Sequence, residues 1–158
     1  MNFWQFIFSN RILNATVLAW FIAQLIKVIL ILIDTKKIDF SRFWGSGGMP
    51  SSHSSTMVAL VTIIARTYGF SSPFFAISFT MMMVVIIDAM GVRRDAGKQA
   101  TVLNKMIENI DPDNPDFWDV KLRELIGHTP LQVFVGAVLG FAIAMGMPIL
   151  SHISNILR

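Results

Sequence analysis

The chain has 158 residues, the length of a single domain, and 54% of them are hydrophobic. That fraction exceeds what soluble domains of this size usually carry, so the composition predicts an integral membrane protein. The absence of cysteine excludes disulfides and thiolate metal sites, and a formal charge of only +3, with the aromatic residues in apolar runs, gives nucleic-acid binding little support.

Four apolar runs approach the length of about 20 residues that a membrane-spanning helix needs. They cover about 12–33, 53–69, 73–91 and 130–150. The second run is short and begins with polar residues, so we expect part of it to lie in protein-lined surroundings, with a buried helix of a soluble protein as the alternative. The first ten residues lack a basic region and a cleavage site, so we expect no cleavable signal peptide.

The connection at 92–129 is predicted to contain a further helix. Between Asp95 and Ile110, apolar residues recur at spacings of three and four, which is typical of an amphipathic helix on the membrane face or over the bundle. The acidic turn Asp111 to Asp116 then ends it, because its two prolines cannot continue a helix. This turn lacks the spacing and the bidentate glutamate of a known calcium loop, so a solvated loop is the favoured interpretation.

We therefore predict one integral membrane domain, 1–158, with an all-α fold: a polytopic bundle of about four transmembrane helices plus an amphipathic interfacial helix. If all four runs span, nine basic residues lie in the first and third connections and three lie on the opposite face. The positive-inside rule then predicts that the loop-rich face is cytoplasmic.

The stretch GGMPSSHSS, Gly47 to Ser55, is a run of small and polar residues before the second apolar run. Its glycines, including Gly48, let the backbone approach a ligand, and its proline and serines suit a helix start. A helix N-terminus attracts anions, so Ser51, Ser52 and His53 are candidates for a phosphate site. A capped turn that enters the membrane is the alternative.

A second histidine stands at a second helix start. In Gly127-His128-Thr129-Pro130, Thr129 suits an N-cap and Pro130 the first helical position. On the four-span topology His53 and His128 share one face, whereas His152 lies on the other and has no expected role.

Three cations follow the end of the third apolar run, on the face that carries His53 and His128. Arg93, Arg94 and Lys98 are the cations, with a positive-inside anchor as their alternative role. Two histidines, two helix starts and these cations are the residue types that phosphoryl transfer without a metal requires.

Lys27 and Asp88 are ionisable residues inside apolar runs, where charge is costly and usually functional or paired. Lys27, with Gln24 on its face, could reach a phosphate, pair with Asp88 or extend to the headgroups. Asp88 could orient a histidine or form an ion pair with Lys27, Arg93 or Arg94. By contrast, the small residues Gly136, Gly140 and Ala144 at four-residue spacing predict helix packing.

These motifs resemble a known superfamily. PSSH is similar to the second motif, PSGH, of the type 2 phosphatidic acid phosphatases and vanadium haloperoxidases, and GHTPLQVFVGAVLG resembles the end of their third motif. With DAMGVRRDAGKQA between them, the three motifs look like the divergent branch of small membrane proteins in that superfamily, and the likeness runs from Gln24 to Gly140.

The resemblance implies a helical membrane phosphatase without a metal or other cofactor. His128 would attack phosphorus to form a phosphohistidine, and His53 would protonate the leaving oxygen and later activate water. Oxygens of the phosphate would be held by Ser51, Ser52 and nearby amides such as that of Gly48. Lys27 and either Arg93 or Arg94 would add positive charge.

The chain also departs from the superfamily pattern. The first motif is absent, and Leu122 stands where the third motif has an arginine. Gln132 occupies the position of an aspartate, and a neutral amide can orient an imidazole but stabilises its cation less. Asp88 would then be needed as the source of negative charge beside His128.

We expect a phosphatase acting on a lipid phosphate or pyrophosphate at the cytoplasmic face of a bacterial-type plasma membrane. Its partners would be the bilayer and the lipid substrate, without nucleic acid, and a homodimer is an open expectation because four helices are few for a sealed site. The alternatives are a non-catalytic binder of phospholipid headgroups and a small transporter-like bundle that uses Lys27 and Asp88.

Overall fold

A computed structural model describes residues 9–36, 48–110, 122 and 127–148 of the chain, and the regular elements in these ranges are all α-helices. The expected all-α fold is confirmed. The helices are α1 (Arg11–Thr35), α2 (Ser52–Tyr68), α3 (Pro73–Met90), α4 (Val92–Ile110) and α5 (Pro130–Gly146). The acidic turn at 111–116 and His152 lie outside the described residues.

The helix starts follow from the capping residues of the sequence. Ser51 caps α2, with its side chain accepting a hydrogen bond from the backbone of Ser54. Thr129 caps α5, and Pro130 occupies its first turn. Hydroxyl side chains satisfy backbone N–H groups that have no partner within the helix, so these polar stretches end where the helices begin.

The helices differ in the length of their apolar segments. Among the described residues, two segments are long and apolar enough to cross a membrane, Arg11–Thr35 and Pro73–Ile107, and the second joins α3 to most of α4. Helix α5 is a shorter apolar helix. The described residues thus form a helical bundle with two candidate membrane spans and a shorter apolar helix.

The most polar of the apolar runs forms the centre of the bundle. Helix α2 packs against α1, α3 and α5, and its buried residues include Ser54, Ser55 and Ala59. Because neighbouring helices surround this face, its hydroxyls lie against protein, as the sequence predicts for the weakest run. Ser55 donates a hydrogen bond from its Oγ to the carbonyl oxygen of Ala19 on α1 at 3.2 Å.

Small residues allow the close contact between α2 and α5. A methyl group at Gly136 would overlap the carbonyl oxygen of Ser51, and one at Gly140 would overlap that of Ser55. Ala144, one turn further on, is fully buried in the core beside Ala59 and Ile63. The predicted packing role of this stripe is therefore confirmed, and it holds the backbones of the two helices together.

Helices α2 and α5 run parallel. Gly136 contacts Ser51, and one turn later in both helices Gly140 contacts Ser55. Both N-termini therefore lie at one end of the bundle, where their partial positive charges add. At the other end, Arg66 donates to the carbonyl oxygens of Ala144 and Met147, and Arg11 donates to that of Pro148 at 2.6 Å. Cations thus bind the negative C-terminal end of α5.

Candidate functional site

Two backbone hydrogen bonds join three helix ends at the N-terminal end of α2. The N–H of Ser51 donates to the carbonyl oxygen of Gln132 at 3.0 Å, which ties the start of α2 to the first turn of α5. The N–H of His128 donates to the carbonyl oxygen of Ala89 at 3.0 Å, which ties the residue before α5 to the end of α3. The positions of both predicted histidines are therefore held by backbone contacts.

His53 and His128 lie side by side at this end of the bundle. Their ring centroids are 5.9 Å apart, with the rings edge to face. His53 is in the first turn of α2, whereas His128 precedes α5 and is only 3% exposed. Residues 75 positions apart in the sequence thus form one imidazole pair. The sequence predicts this proximity, because each histidine stands at a helix start on the same face.

Gln132 determines which nitrogen of His128 carries a proton. The Gln132 Oε1 accepts from the backbone N–H of Thr129 at 3.0 Å, so the amide is oriented with its oxygen toward this turn. The same oxygen lies 3.2 Å from Nδ1 of His128. Since two acceptors cannot form a hydrogen bond, Nδ1 is the donor, and the neutral ring has its lone pair on Nε2.

The electrostatic surroundings keep His128 neutral. Burial lowers the pKa of His128, the hydrogen bond to Gln132 opposes this shift, and the nearby charges of Lys27 and Arg93 lower the pKa further. A buried imidazole beside two cations resists protonation because its charged form is poorly solvated and repelled. The free lone pair of Nε2 is therefore present at neutral pH.

His53 contributes a buried nitrogen that has no partner within the described part of the chain. This atom is the Nδ1 of its ring. Buried polar atoms are nearly always paired, and exceptions concentrate at functional sites. An oxygen atom of a ligand held between the two imidazoles could supply the missing partner.

Lys27 brings a buried cation to the start of α2. It is 3% exposed, and its Nζ donates to the Oγ of Ser52 at 3.2 Å. No carboxylate of the described residues pairs with it. Gly48 lies beside its stem and has a φ of +81°, a conformation that favours glycine. An unpaired buried ammonium next to a helix N-terminus is suited to an anion.

Asp88 and Arg93 form an ion pair at the rim of this group. Arg93 Nε lies 2.8 Å from Asp88 Oδ2, and the two side chains are 48% and 42% exposed. The partner of Asp88 is thus Arg93, one of the three cations that the sequence leaves open, and Gln132 is the side chain that contacts His128. Arg94 has an exposed side chain, and its backbone packs against Gly127.

Sequence reasoning missed two contributors to the site. Gly127 permits close contact with the first turn of α4, since a methyl group there would overlap the backbone of Arg94. One face of α1 carries three fully buried alanines at four-residue spacing, Ala15, Ala19 and Ala23. Lys27 is the next residue at this spacing, so it lies on the same face, toward α2. That spacing is visible in the sequence and is the same signal as the stripe of α5.

The structure brings together most of the predicted site residues. The start of α2 supplies Ser51, Ser52 and His53. Around it lie Lys27, His128 and Gln132, with Gly48 beside Lys27. Asp88 and Arg93 form the rim. In the described ranges, no three His, Asp or Glu side chains are grouped as metal ligands. The expectation of a metal-free site stays a prediction.

Fold and site together define a helical bundle with a histidine pair and a buried lysine at the N-termini of two parallel helices. A profile described as the Divergent PAP2 family matches residues 8–143, and the chain belongs to that family. It is also 38% identical over 147 residues to the uncharacterised membrane protein YuiD of Bacillus subtilis (strain 168), covering 87% of this chain and 93% of YuiD. No solved structure matches the chain. The protein is therefore a membrane protein related to the phosphatases, as the sequence motifs predict.

Proposed function

We propose that the protein is a membrane phosphatase that hydrolyses a lipid phosphate or pyrophosphate through a phosphohistidine. The observation that carries this proposal is the His53–His128 pair, 5.9 Å between ring centroids, beside the buried Lys27. It supplies a nucleophile, a proton donor and a cation within one small region. Membership of the Divergent PAP2 family supports the same reaction class.

In the first step, the Nε2 lone pair of His128 attacks phosphorus, and the bond from phosphorus to the ester oxygen breaks. The leaving oxygen takes a proton from the protonated ring of His53. Gln132 holds Nδ1–H of His128 throughout, so attack proceeds from the nitrogen that faces away from the amide. The product is a phosphohistidine and a neutral lipid alcohol, or a lipid monophosphate if the substrate is a pyrophosphate.

In the second step, water loses a proton to the now neutral ring of His53 and attacks phosphorus. The bond between phosphorus and Nε2 breaks, which releases phosphate and restores both imidazoles. The equatorial oxygens are held by Lys27, the hydroxyl of Ser52 and the first amides of α2, with Arg93 at the rim and Gly48 giving access to the backbone. Fixed donors of this kind stabilise the charge that develops in the transition state.

The site would face the cytoplasm of a bacterial-type plasma membrane. This assignment is supported by the basic residues near the histidine end, including Arg93, Arg94 and Lys98. A lipid substrate is supported by the apolar helices around the site, since its chains would lie among them while the phosphate meets the helix starts.

A non-catalytic binder of phosphorylated headgroups is the second candidate. It is favoured by one observation, that the side chain beside His128 is the neutral Gln132, which stabilises a cationic phosphohistidine less than a carboxylate does. Such a binder would need Lys27, Ser52 and the start of α2, but neither imidazole as a reactant.

Phosphate release separates the two functions. Protein purified in detergent is incubated with phosphatidic acid, phosphatidylglycerol phosphate and a polyprenyl pyrophosphate, with His53→Ala and His128→Ala variants alongside and vanadate as inhibitor. The phosphatase releases phosphate only when both histidines are present, and vanadate inhibits it. Phosphate release that survives in His128→Ala contradicts the mechanism, and retention of lipid phosphate without turnover by the native chain establishes the binder.

A further inference from the structure

Helix α4 begins where a membrane span has to end. The apolar segment Pro73–Ile107 has 35 residues. At 1.5 Å per residue it would extend about 52 Å as one straight helix, against a hydrocarbon thickness of about 30 Å. The 18 residues of α3 already cover most of that thickness. Gly91 separates the two helices, so a span that ends with α3 leaves the start of α4 at the membrane surface.

The side chains of α4 divide into three faces. Gly97, Ala100 and Asn104, spaced at three and four, are buried against the protein, and both amide atoms of Asn104 bind the backbone of Leu122 at 3.0 Å. A second face is exposed and is apolar in the C-terminal half of the helix, at Val102 (51% exposed), Leu103 (47%) and Met106 (54%). In the N-terminal half this face carries Val92 (67%) together with the exposed polar residues Asp95 and Gln99.

The third face of α4 is a basic edge between the other two. Arg94, Lys98 and Lys105 recur at spacings of four and seven and are all exposed. Asp95 pairs with Lys98 at 2.9 Å, but both side chains are about two-thirds exposed, so water competes with this pair. The basic edge therefore stays available to an external anion.

We propose that α4 is a membrane-surface helix that binds anionic lipid. Its exposed apolar face enters the acyl boundary, and the basic edge of Arg94, Lys98 and Lys105 contacts the phosphate groups beside it. Alternation of a shallow apolar face with flanking cations is the pattern by which interfacial helices bind such membranes. The charge of the edge complements anionic headgroups, and the exposed apolar residues beside it suit the acyl boundary of the same bilayer.

This surface extends the histidine site without depending on its chemistry. Arg93, in the first turn of α4, pairs with Asp88 at the rim of the site. A helix held at headgroup depth would keep this rim at the level of lipid phosphates and would concentrate anionic lipid next to it. The proposal holds equally for an enzyme and for a non-catalytic binder.

Depth is measured with single fluorescent labels, which the absence of native cysteine permits. Leu103→Cys, Met106→Cys and Lys105→Cys are labelled with an environment-sensitive dye in nanodiscs of phosphatidylcholine and phosphatidylglycerol. The labels at 103 and 106 emit at shorter wavelength and are quenched by shallow nitroxide lipids, whereas aqueous iodide quenches the label at 105. Shielding of the labels at 103 and 106 from both quenchers means that protein covers this face, and it overturns the proposal.

Lipid preference tests the basic edge. Native mass spectrometry from mixed nanodiscs measures the enrichment of phosphatidylglycerol over phosphatidylcholine on the protein. Removing charge through Arg94→Gln, Lys98→Gln and Lys105→Gln lowers the enrichment by about fivefold for each residue, since one cation near an anionic surface contributes about 1 kcal/mol. Asp95→Asn, the matched control of opposite sign, raises it. Unchanged enrichment in the triple variant contradicts the proposal.

Discussion

The Nδ1 atom of His128 lies 3.2 Å from Oε1 of Gln132, and the same oxygen accepts the backbone N–H of Thr129 at 3.0 Å. A helix cap and a ring tautomer therefore depend on one amide. Where the superfamily pattern has a carboxylate, this chain has a neutral group that orients the imidazole but does not compensate its charge. Substitutions at Gln132 can change the charge beside the imidazole and the hydrogen bond to Nδ1 independently of each other.

The first prediction concerns the pH dependence of turnover. Because burial lowers the pKa of His128, its neutral nucleophilic form persists below the ordinary histidine value of 6.5. As pH falls, activity is lost through protonation of His128 at this lowered pKa, so the acid limb of kcat/KM has its midpoint below 6.5. Gln132→Glu preserves the capping box and adds a carboxylate, which raises the pKa of His128 and moves the acid limb upward.

The pH profile of kcat/KM in the native chain and in Gln132→Glu checks this prediction. Gln132→Met serves as the control of opposite sign, since it removes the hydrogen bond that raises the pKa of His128 and should move the acid limb downward. An acid limb that stays in place in Gln132→Glu would show that His128 does not titrate in the reaction.

The second prediction concerns the contact between α2 and α5. Gly140→Ala places a methyl group on the carbonyl oxygen of Ser55 and forces the helices apart, so it should destabilise the protein by about 1–3 kcal/mol. Glycine to alanine in a helix ordinarily stabilises, so the sign is diagnostic.

Thermal unfolding in detergent measures the effect of Gly140→Ala. Gly146→Ala is the matched control in the same helix, because the added methyl group would meet no packed atom within 4 Å among the described residues. Equal unfolding temperatures for the two variants would mean that the backbones of α2 and α5 are not in close contact at Gly140.

The third prediction assigns Lys27 to the ligand rather than to the fold. Lys27→Met keeps the length of the side chain and removes a buried charge that has no carboxylate partner among the described residues, so stability should stay equal or rise. Turnover should fall by about 100-fold, the usual cost of losing one donor to the transition state. Thermal unfolding and phosphate release are measured on the same sample, and a loss of stability with unchanged turnover would assign Lys27 to structure.

The fourth prediction concerns the ion pair at the rim. Asp88→Asn breaks a half-exposed pair with Arg93, which should change stability by less than about 1 kcal/mol. Arg93→Met should weaken inhibition by vanadate, because it removes a cation near both imidazoles, whereas Arg94→Met, with an exposed side chain, should leave it nearly unchanged. Thermal unfolding of Asp88→Asn and inhibition constants for the two arginine variants test this, and equal weakening of inhibition by both arginine variants would contradict it.

Local patterns account for the helices and for much of the site. Apolar runs, with Ser51 and Thr129 as caps, predict the helix starts, and the depth of Lys27 in its run predicts a functional cation. Asp88 was less predictable, because the end of α3 at Met90 leaves its carboxylate half exposed and within reach of Arg93. The four-span topology already makes α2 and α5 parallel, but it does not predict that these two helices pack directly against each other, because that contact joins glycines and carbonyls far apart in the chain.

Direct detection of the phosphoenzyme tests the central claim. His53→Asn, which can neither protonate the leaving oxygen nor activate water, is mixed with p-nitrophenyl phosphate, whose leaving group needs no proton, then quenched under alkaline conditions and analysed by peptide mass spectrometry. The mechanism predicts one phosphohistidine, at His128, which accumulates in this variant and is absent when His128 is replaced by alanine. Phosphate release by the native chain with an unmodified His128 in every quenched sample would contradict it.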